Sequence, residues 1–400
     1  MSVTDAVIDL TQNTTEPATI IDTNNSSNNT AYINPLSKYN TKHCLAPMID
    51  LCDYSFLQLC TQYNTTYCYT QMYHSTDIVN DRMYLNDILQ SYPVNCSIPI
   101  AIQICGNDIP TMIQCVQLLN IHNNHRFGAI DLNLGCPLRH ARNNEYGAYM
   151  VQTLEQQQHT CNVVQQMSLH SILPITCKVR LLDNITDTIQ FYVQLIQAGC
   201  KLLCIHARYI DIDKSVKQRR YGSADLHALR TITHELKQHI DVNVCNCIII
   251  GNGNVRAYSD VVNNIEYTGV DGYMCAESIL DNPAIYSSTH VPYQTLCRQY
   301  IEYVRNNQSK TVNMHTITTH VRRMMSPYVS NTTLLSVDLC NTISDLLQIL
   351  QNHTTDISDD TIDIRRLQKR RHKQLRMQSG RLNSKERNRL KRKLATQYSK

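Results

Sequence analysis

The chain contains no tryptophan and only three phenylalanines among its 400 residues, so tyrosine and the aliphatic side chains must fill its core. No run approaches the roughly 18 apolar residues of a transmembrane helix, and we expect no membrane partner. The first ten residues carry Asp5 and Asp9 and lack the basic start and apolar core of a signal peptide. These absences predict a cytoplasmic chain, and 42% hydrophobic residues suffice for a large core.

Paired cysteine motifs are also missing, although the chain has 17 cysteines. Their number is odd, their spacing is irregular, and most lie in apolar runs, which indicates buried, reduced thiols. Neither Cys245 with Cys247 nor Cys44 with Cys52 has the CxxC spacing of a zinc site. We therefore predict no metal site.

The order of apolar runs predicts the domain organisation. Residues 1–40 are rich in Thr, Asn, Ser and Asp, which predicts a disordered extension. From residue 43, short apolar runs alternate with helical patterns, as in an α/β protein. Eight strands are expected: His43–Ala46, Tyr67–Thr70, Ile98–Cys105, Ala129–Leu134, Ile175–Val179, Lys201–His206, Val244–Ile250 and Val270–Cys275. Eight evenly spaced units favour a (β/α)8 TIM barrel over residues 41–285, with a doubly wound sheet as the alternative.

Helical patterns lie between these strands and continue beyond them. Several begin after Asp, Thr or Ser, as helix N-caps require. The clearest are Asp108–Asn120, Thr186–Ala198, Ala257–Ile265, Val291–Arg305 and Leu334–Gln351. The last two have no strands around them and predict a small helical domain over residues 286–360, followed by a basic tail at 361–400.

Polar and reactive residues follow the predicted strands, at the end where a TIM barrel presents its active site. We call this end the mouth. Cys136 stands two residues beyond the strand Ala129–Leu134, although a cysteine alone is often only a small buried hydrophobe. Lys178 and His206 end the fifth and sixth strands. They suit an anionic ring such as the N1–C2 edge of a reduced flavin, with a surface lysine and a core histidine as the alternatives.

The loop after the seventh strand contains Gly251 and Gly253. In TIM barrels the loops after strands seven and eight commonly bind phosphate through backbone N–H groups, and glycine permits close approach. A simple chain turn is the alternative. Arg180 and Arg208, each two residues beyond a mouth residue, fit contacts to phosphate or to base edges.

In this order and spacing, the motifs resemble the tRNA-dihydrouridine synthases, flavoenzymes that reduce a uracil in tRNA. The resemblance covers roughly residues 43–290. Within the family, the sequence most resembles the eukaryotic subfamily that acts at D-loop positions 16 and 17. The motifs that carry it are Leu45–Met48, Tyr69–His74, Gln103–Asp108, Asp131–Pro137, Tyr146–Ala148, Thr176–Arg180, Ile205–Arg208, Asn252–Asn254 and Ala276–Glu277.

The resemblance implies FMN as cofactor, NADPH or NADH as reductant, and tRNA as partner. It implies a cofactor site made of Pro47, Met48, Ile49, Gln103, Lys178, His206, Asn252, Gly253, Asn254, Ala276 and Glu277. It further implies substrate contacts for Asn133, Arg180 and Arg208. Uracil C6 would receive hydride from flavin N5, and Cys136 would protonate C5 as general acid, since a thiol with a pKa of about 8.5 stays largely protonated at neutral pH.

Two other functions stay open. The first is an FMN barrel acting on a free pyrimidine, like a dihydroorotate dehydrogenase; the basic tail and helical domain argue against it, because a small substrate needs neither. The second is a non-catalytic RNA-binding barrel, against which intact Cys136, Lys178 and His206 argue. The sequence also departs from the family pattern at Ala207, where glycine is usual, and at Gln71, where proline is more frequent.

Charge is concentrated in the tail. Residues 364–400 hold 15 Lys/Arg and one acid, Glu386, and therefore carry a formal charge of +14. The rest of the chain carries −10, and the two sum to the net charge of +4. A solvated tail, phosphate contact with tRNA, and nuclear import through Lys369–Lys373 or Arg389–Lys393 all fit this pattern. Because the rest of the chain is acidic, it needs a basic segment to bind RNA. We therefore favour the interpretation that the tail contacts tRNA. We expect a monomer, and neither the choice of NADPH or NADH nor the D-loop position follows from the sequence.

Overall fold

The computed structural model describes residues 34–210, 223–239, 246–307 and 312–352. Within these ranges, eight parallel strands alternate with helices and make the predicted (β/α)8 TIM barrel. The strands are β1 His43–Leu45, β2 Cys68–His74, β3 Ile100–Cys105, β4 Ala129–Asn133, β5 Ile175–Leu181, β6 Leu202–Tyr209, β7 Ile248–Asn252 and β8 Gly272–Cys275. Residues 1–33 and the basic tail lie outside the described residues.

The strands form one closed sheet. They are hydrogen-bonded in the order β1-β8-β7-β6-β5-β4-β3-β2, and a parallel bridge between Cys44 and Tyr67 joins the two outer strands. The Leu45 N–H donates to the Tyr67 carbonyl at 2.9 Å across the same seam. The alternative of an open, doubly wound sheet is therefore wrong.

Helices with side-chain caps separate the strands. Asp53 caps α1 through the Phe56 N–H, and Asp108 caps α4 through the Thr111 N–H. The helices among the described residues of the barrel are α1 Tyr54–Gln62, α2 Ser75–Asn80, α3 Arg82–Gln90, α4 Ile109–His122, α5 Arg139–Asn143, α6 Leu154–His170, α7 Ile185–Gln197, α8 Leu226–His239, α9 Tyr258–Thr268 and α10 Glu277–Asp281. None of the described helices is long and apolar enough to cross a membrane.

Alternate residues of the strands form a buried cluster inside the barrel, separate from the larger core between strands and helices. Leu36, in the 3-10 helix Pro35–Lys38, is fully buried in this inner cluster. The Asn34 side chain donates to the Lys201 carbonyl at 2.8 Å. Asn34 and Leu36 therefore pack against the barrel although they stand before residue 41, where the sequence predicts that the barrel starts. Composition alone does not reveal one well-placed apolar residue.

Within the part of the chain that the structure describes, four helices follow the barrel: α11 Tyr293–Asn307, α12 Met314–Met325, α13 Asn331–Asp338 and α14 Ile343–Asn352. The helical pattern over Leu334–Gln351 corresponds to two helices, α13 and α14. The Asp345 carboxylate accepts from the N–H groups of Asn341 and Thr342, and the Thr342 hydroxyl accepts from the Asp345 N–H. This reciprocal cap starts a new helix where the apolar pattern alone predicts continuation.

Candidate active site

The strand register brings the predicted mouth residues together. Asn133 of β4 is the register partner of Lys178 on β5, and His206 of β6 is the partner of Asn252 on β7. The carboxyl ends of all eight parallel strands lie at one end of the barrel. Four residues predicted from separate motifs therefore line one continuous arc of the mouth.

The loop that carries Cys136 is held by the Asn133 side chain. Asn133 Oδ1 accepts from the N–H groups of Gly135 and Cys136 at 3.1 and 3.0 Å. The Cys136 carbonyl accepts from the Ala148 N–H at 3.0 Å. Gly147, with φ of +65°, packs so closely that a Cβ there would lie 2.8 Å from the Cys136 carbonyl oxygen. The half-buried thiol thus sits on a loop whose backbone is fixed from both sides.

A buried acid lies below this loop. Asp131 of β4 is fully buried and accepts from Gln103 Nε2 at 2.7 Å and from the Thr176 hydroxyl at 2.6 Å. Gln103 Oε1 in turn accepts from Asn133 Nδ2 at 2.9 Å. We call these four residues the amide network. Burial raises the pKa of Asp131 to about 7, against the opposing effect of its two hydrogen bonds.

Cationic side chains give the mouth a positive potential. Lys178 Nζ donates to Asn252 Oδ1 at 3.4 Å, and burial lowers the pKa of this lysine. Arg180 Nε donates to the Gly135 carbonyl at 2.9 Å, behind the Cys136 loop. These contacts hold both cations of β5 near the mouth, which therefore favours an anionic ligand.

His206 is a neutral hydrogen-bonding group. Its Nε2 lies 2.6 Å from Arg208 Nη1, which can only donate. Burial, followed by the nearby Arg180, Lys178 and Arg208, holds the pKa of His206 well below its usual range. The proton of the neutral imidazole is therefore on Nδ1. His206 can therefore serve the mouth as a neutral donor.

The loop after β7 forms a narrow cradle. Gly253 has φ of +125°, and a Cβ there would lie 2.8 Å from Ala224 Cβ and 3.4 Å from Arg208 Nη1. Asn254 is tied to Ala224 by hydrogen bonds of 2.8 and 3.0 Å, and Arg208 Nη2 reaches its Oδ1 at 3.4 Å. Bare backbone beside a guanidinium fits a phosphate group.

Gly251, by contrast, serves packing. A Cβ at this position would lie 2.6 Å from a ring carbon of Tyr273. The Tyr273 hydroxyl donates to the Gly253 carbonyl at 2.8 Å, so the ring that excludes a side chain at Gly251 also braces the cradle. Gly251 and Gly253 look alike in sequence, but glycine is needed at the two positions for different physical reasons.

Glu277, predicted as a cofactor-binding residue, has its carboxylate in an ion pair. Its carboxylate pairs with Arg323 Nη1 at 3.0 Å, and Arg323 also binds Asp281 at 2.8 Å. The Glu277 side chain therefore faces the helices after the barrel. Because a carboxylate repels phosphate, only the backbone around Ala276 and Glu277 can contribute to an anion site.

The loop after β1 includes Pro47, Met48 and Ile49. The Met48 N–H donates to Cys52 Sγ at 3.2 Å, and Ile49 is 54% exposed. The next residue, Asp50, has φ of +60°, and its N–H donates to Gln71 Oε1 at 2.7 Å. Gln71, where the family more often has proline, thus supports this loop.

The sequence was compared with models of known protein families. A family model described as dihydrouridine synthase (Dus) matches residues 44–356. The chain belongs to the dihydrouridine synthase family.

The similar curated proteins carry related names. The chain is 31% identical over 270 residues to the tRNA-dihydrouridine(16/17) synthase [NAD(P)(+)]-like protein of Rattus norvegicus, covering 66% of this chain and 56% of that protein. It is 27% identical over 302 residues to the tRNA-dihydrouridine(16/17) synthase [NAD(P)(+)] of Schizosaccharomyces pombe, covering 72% and 70%. The chain spans little more than half the length of the rodent relatives that it matches.

Two features of the site escape motif reading. Asp131 appears in a motif, but only the structure reveals that it anchors the amide network. The one feature of the sequence that could have indicated this is an acidic residue inside an apolar strand. The second is an aromatic group near Cys136, in which His140 Nδ1 lies 2.7 Å from the Tyr146 hydroxyl, and the His74 ring lies 5.1 Å from that of His140. Burial, with smaller effects of Cys105 and Cys136, raises the pKa of Tyr146. Within the described ranges, no three His, Cys, Asp or Glu side chains are grouped as metal ligands.

Proposed function

We propose that this chain reduces the C5=C6 bond of a D-loop uridine in tRNA to dihydrouridine, with FMN as cofactor and NADPH or NADH as reductant. Family membership supports the reaction class, and the names of the relatives supply tRNA and NAD(P)+. One observation carries the proposal. The amide network holds the Cys136 loop at the same mouth as the cationic Lys178 and the cradle at Gly253.

The cofactor site follows from the donors and the cradle. The backbone at Gly253, with Arg208 beside it, suits the FMN phosphate. We therefore assign Arg208 to the cofactor rather than to the substrate contacts that the sequence suggests. Lys178 and neutral His206 supply donors for an electron-rich ring edge. FMN held by these residues would supply the hydride for C6 of the uracil.

The substrate side of the mouth consists of Asn133, Arg180 and Cys136. Asn133 Nδ2 uses one hydrogen on Gln103 and carries a second, which can donate to a uracil carbonyl. Arg180 supplies positive charge for the RNA backbone. The target base has to leave its stack to enter a barrel mouth, so a flipped loop nucleotide is the expected substrate form.

Cys136 acts as the general acid in this proposal. Its protonated thiol gives a proton to C5 of the uracil as C6 is reduced, and the thiolate is reprotonated from solvent. General acid catalysis contributes about 10²–10⁴-fold to such steps. The Asn133 hydrogen bonds to the loop keep the thiol at a defined place during the transfer.

The test combines the absorption spectrum with dihydrouridine mapping of an unmodified tRNA transcript. Purified protein should carry flavin and modify the transcript, and Cys136→Ala should lose about 10²-fold or more of the rate. The matched control is Cys161→Ala, a half-buried cysteine on α6. A colourless protein that FMN cannot reconstitute overturns the flavin assignment, and full activity of Cys136→Ala overturns the general acid. Reduction of a free pyrimidine but not of tRNA supports the dihydroorotate dehydrogenase-like alternative.

A further inference from the structure

The carboxyl of Asp131 is held at one level of the barrel by residues on the two neighbouring strands. Gln103 of β3 and Thr176 of β5 are its register partners, and both donate hydrogen bonds to it. Asp131 itself is fully buried, so it touches neither solvent nor a bound substrate. Any effect it has on the reaction must pass through its neighbours.

The carboxylate determines which way the Gln103 carboxamide points. An ionised carboxylate only accepts hydrogen bonds, so Gln103 has to turn Nε2 toward Asp131 and Oε1 toward Asn133. That oxygen requires Asn133 to present Nδ2. Each amide has two orientations in isolation, and the acid selects one for both.

The selected orientation of Asn133 is the one that the Cys136 loop needs. With Nδ2 on Gln103, Oδ1 faces the N–H groups of Gly135 and Cys136 and accepts from both. The reverse orientation would set Nδ2, a donor, against two other donors, and both loop hydrogen bonds would be lost. It would also remove the second Nδ2 hydrogen from the mouth.

Protonation of the acid leaves this arrangement intact. The Thr176 hydroxyl both donates and accepts, so a proton on Asp131 Oδ1 can be donated to Thr176 while Oδ2 still accepts from Gln103. By the same geometry, an asparagine at position 131 can turn Oδ1 to Gln103 and Nδ2 to Thr176. An alanine cannot select either orientation.

We propose that Asp131 is a positioning residue, which orients the carboxamides of Gln103 and Asn133 and through them the Cys136 loop. The inference rests on the proposed function for its catalytic meaning, whereas the arrangement of the loop can be tested without it. The two readouts below separate these levels.

The first readout is alkylation of Cys136 by iodoacetamide, followed by peptide mass spectrometry on the full-length protein. Asp131→Ala should change the Cys136 alkylation rate by at least about threefold relative to the half-buried Cys161 of the same molecule, as the loop loses its fixed hydrogen bonds. Asp131→Asn should leave the rate at the wild-type value. If Asp131→Ala fails to fold, Asp131→Ser, which can donate to Gln103 as well as accept, takes its place. Asn123→Ala, which removes a buried amide with two hydrogen bonds elsewhere, controls for general loosening.

The second readout is a double-mutant cycle on tRNA reduction. Asp131→Ala should lower kcat by about tenfold or more, as a displaced catalytic group does, and should have little further effect once Asn133→Ala is present. Equal losses in both backgrounds, or an Asp131→Asn variant as impaired as Asp131→Ala, would overturn the positioning role. If wild type reduces no tRNA while alkylation still responds to Asp131→Ala and not to Asp131→Asn, the proposed function fails and the positioning role stands.

Discussion

Replacing Asp131 by asparagine should stabilise the protein increasingly as the pH rises. An aspartate carboxyl ordinarily has a pKa of 3.8, and burial raises that of Asp131 to about 7 in the folded chain. A group whose folded pKa is raised contributes stability when it is protonated and loses it as the pH rises through the folded pKa. Ionising this acid therefore costs folding free energy, opposite to the usual behaviour of an aspartate.

The size of the effect follows from the difference between these two pKa values. A rise of about three pKa units corresponds to about 4 kcal/mol between fully protonated and fully ionised states. Between about pH 5 and pH 8, where the unfolded chain is already ionised, roughly 3 kcal/mol of this should appear. Asparagine keeps the hydrogen bonds to Gln103 and Thr176 without titrating, so the variant lacks this dependence.

Urea unfolding of both proteins at several pH values in this window, with matched flavin content, measures the difference directly. Because all other groups titrate in both proteins, their effects cancel in the comparison. Asn123→Ala removes no titrating group, so its difference from wild type should not change with pH. A pH-independent difference for Asp131→Asn, or one that favours wild type at high pH, would show that the folded carboxyl does not titrate above its ordinary range.

Two further predictions concern the cradle and the contact between barrel and helices. Gly253→Ala should weaken FMN binding and lower the free energy of unfolding by about 1–3 kcal/mol, because its φ of +125° is strained for alanine and the new Cβ meets Ala224. Flavin titration and denaturation measure the two effects. An unchanged affinity for FMN would show that the cradle is not part of the cofactor site. Arg323→Gln should lower the free energy of unfolding by about 1–3 kcal/mol, since it removes the 2.8 Å ion pair with the mostly buried Asp281. Glu277→Gln, at the exposed end of the same contact, should cost less, and the reverse ranking would contradict the assignment.

Local sequence patterns predict the barrel well because each strand is a short apolar run at regular spacing. They fail where polar residues continue an element. β2 is predicted to stop at Thr70 but extends to His74, because a register shift between Tyr69 and Met72 accommodates its polar end. The break between α13 and α14 is missed for the converse reason, since it depends on side-chain caps and not on a loss of apolar residues.

At the site, motifs locate residues but not their directions. Cys136 and Lys178 are found because they stand at strand ends, where the fold determines the place. Glu277 is also at a strand end, yet its carboxylate turns to Arg323, 46 positions away in sequence. Asp131 is passed over because its partners come from two other strands. Such pairings depend on the register of the sheet, which the motifs do not contain.

The pairing of β1 with β8 has a consequence for synthesis of the chain. His43 pairs with Tyr273, and the Tyr286 hydroxyl lies within hydrogen-bond distance of the carbonyls of Cys44 and Tyr273, between which its one hydrogen is shared. On the ribosome, β1 can bridge to β2 early, but its other edge has no partner until β8 has emerged. An unpaired strand edge is a template for association with other chains. The nascent protein thus carries an exposed edge through most of its translation, and protection of that edge by chaperones should matter more than for a fold built from neighbouring hairpins.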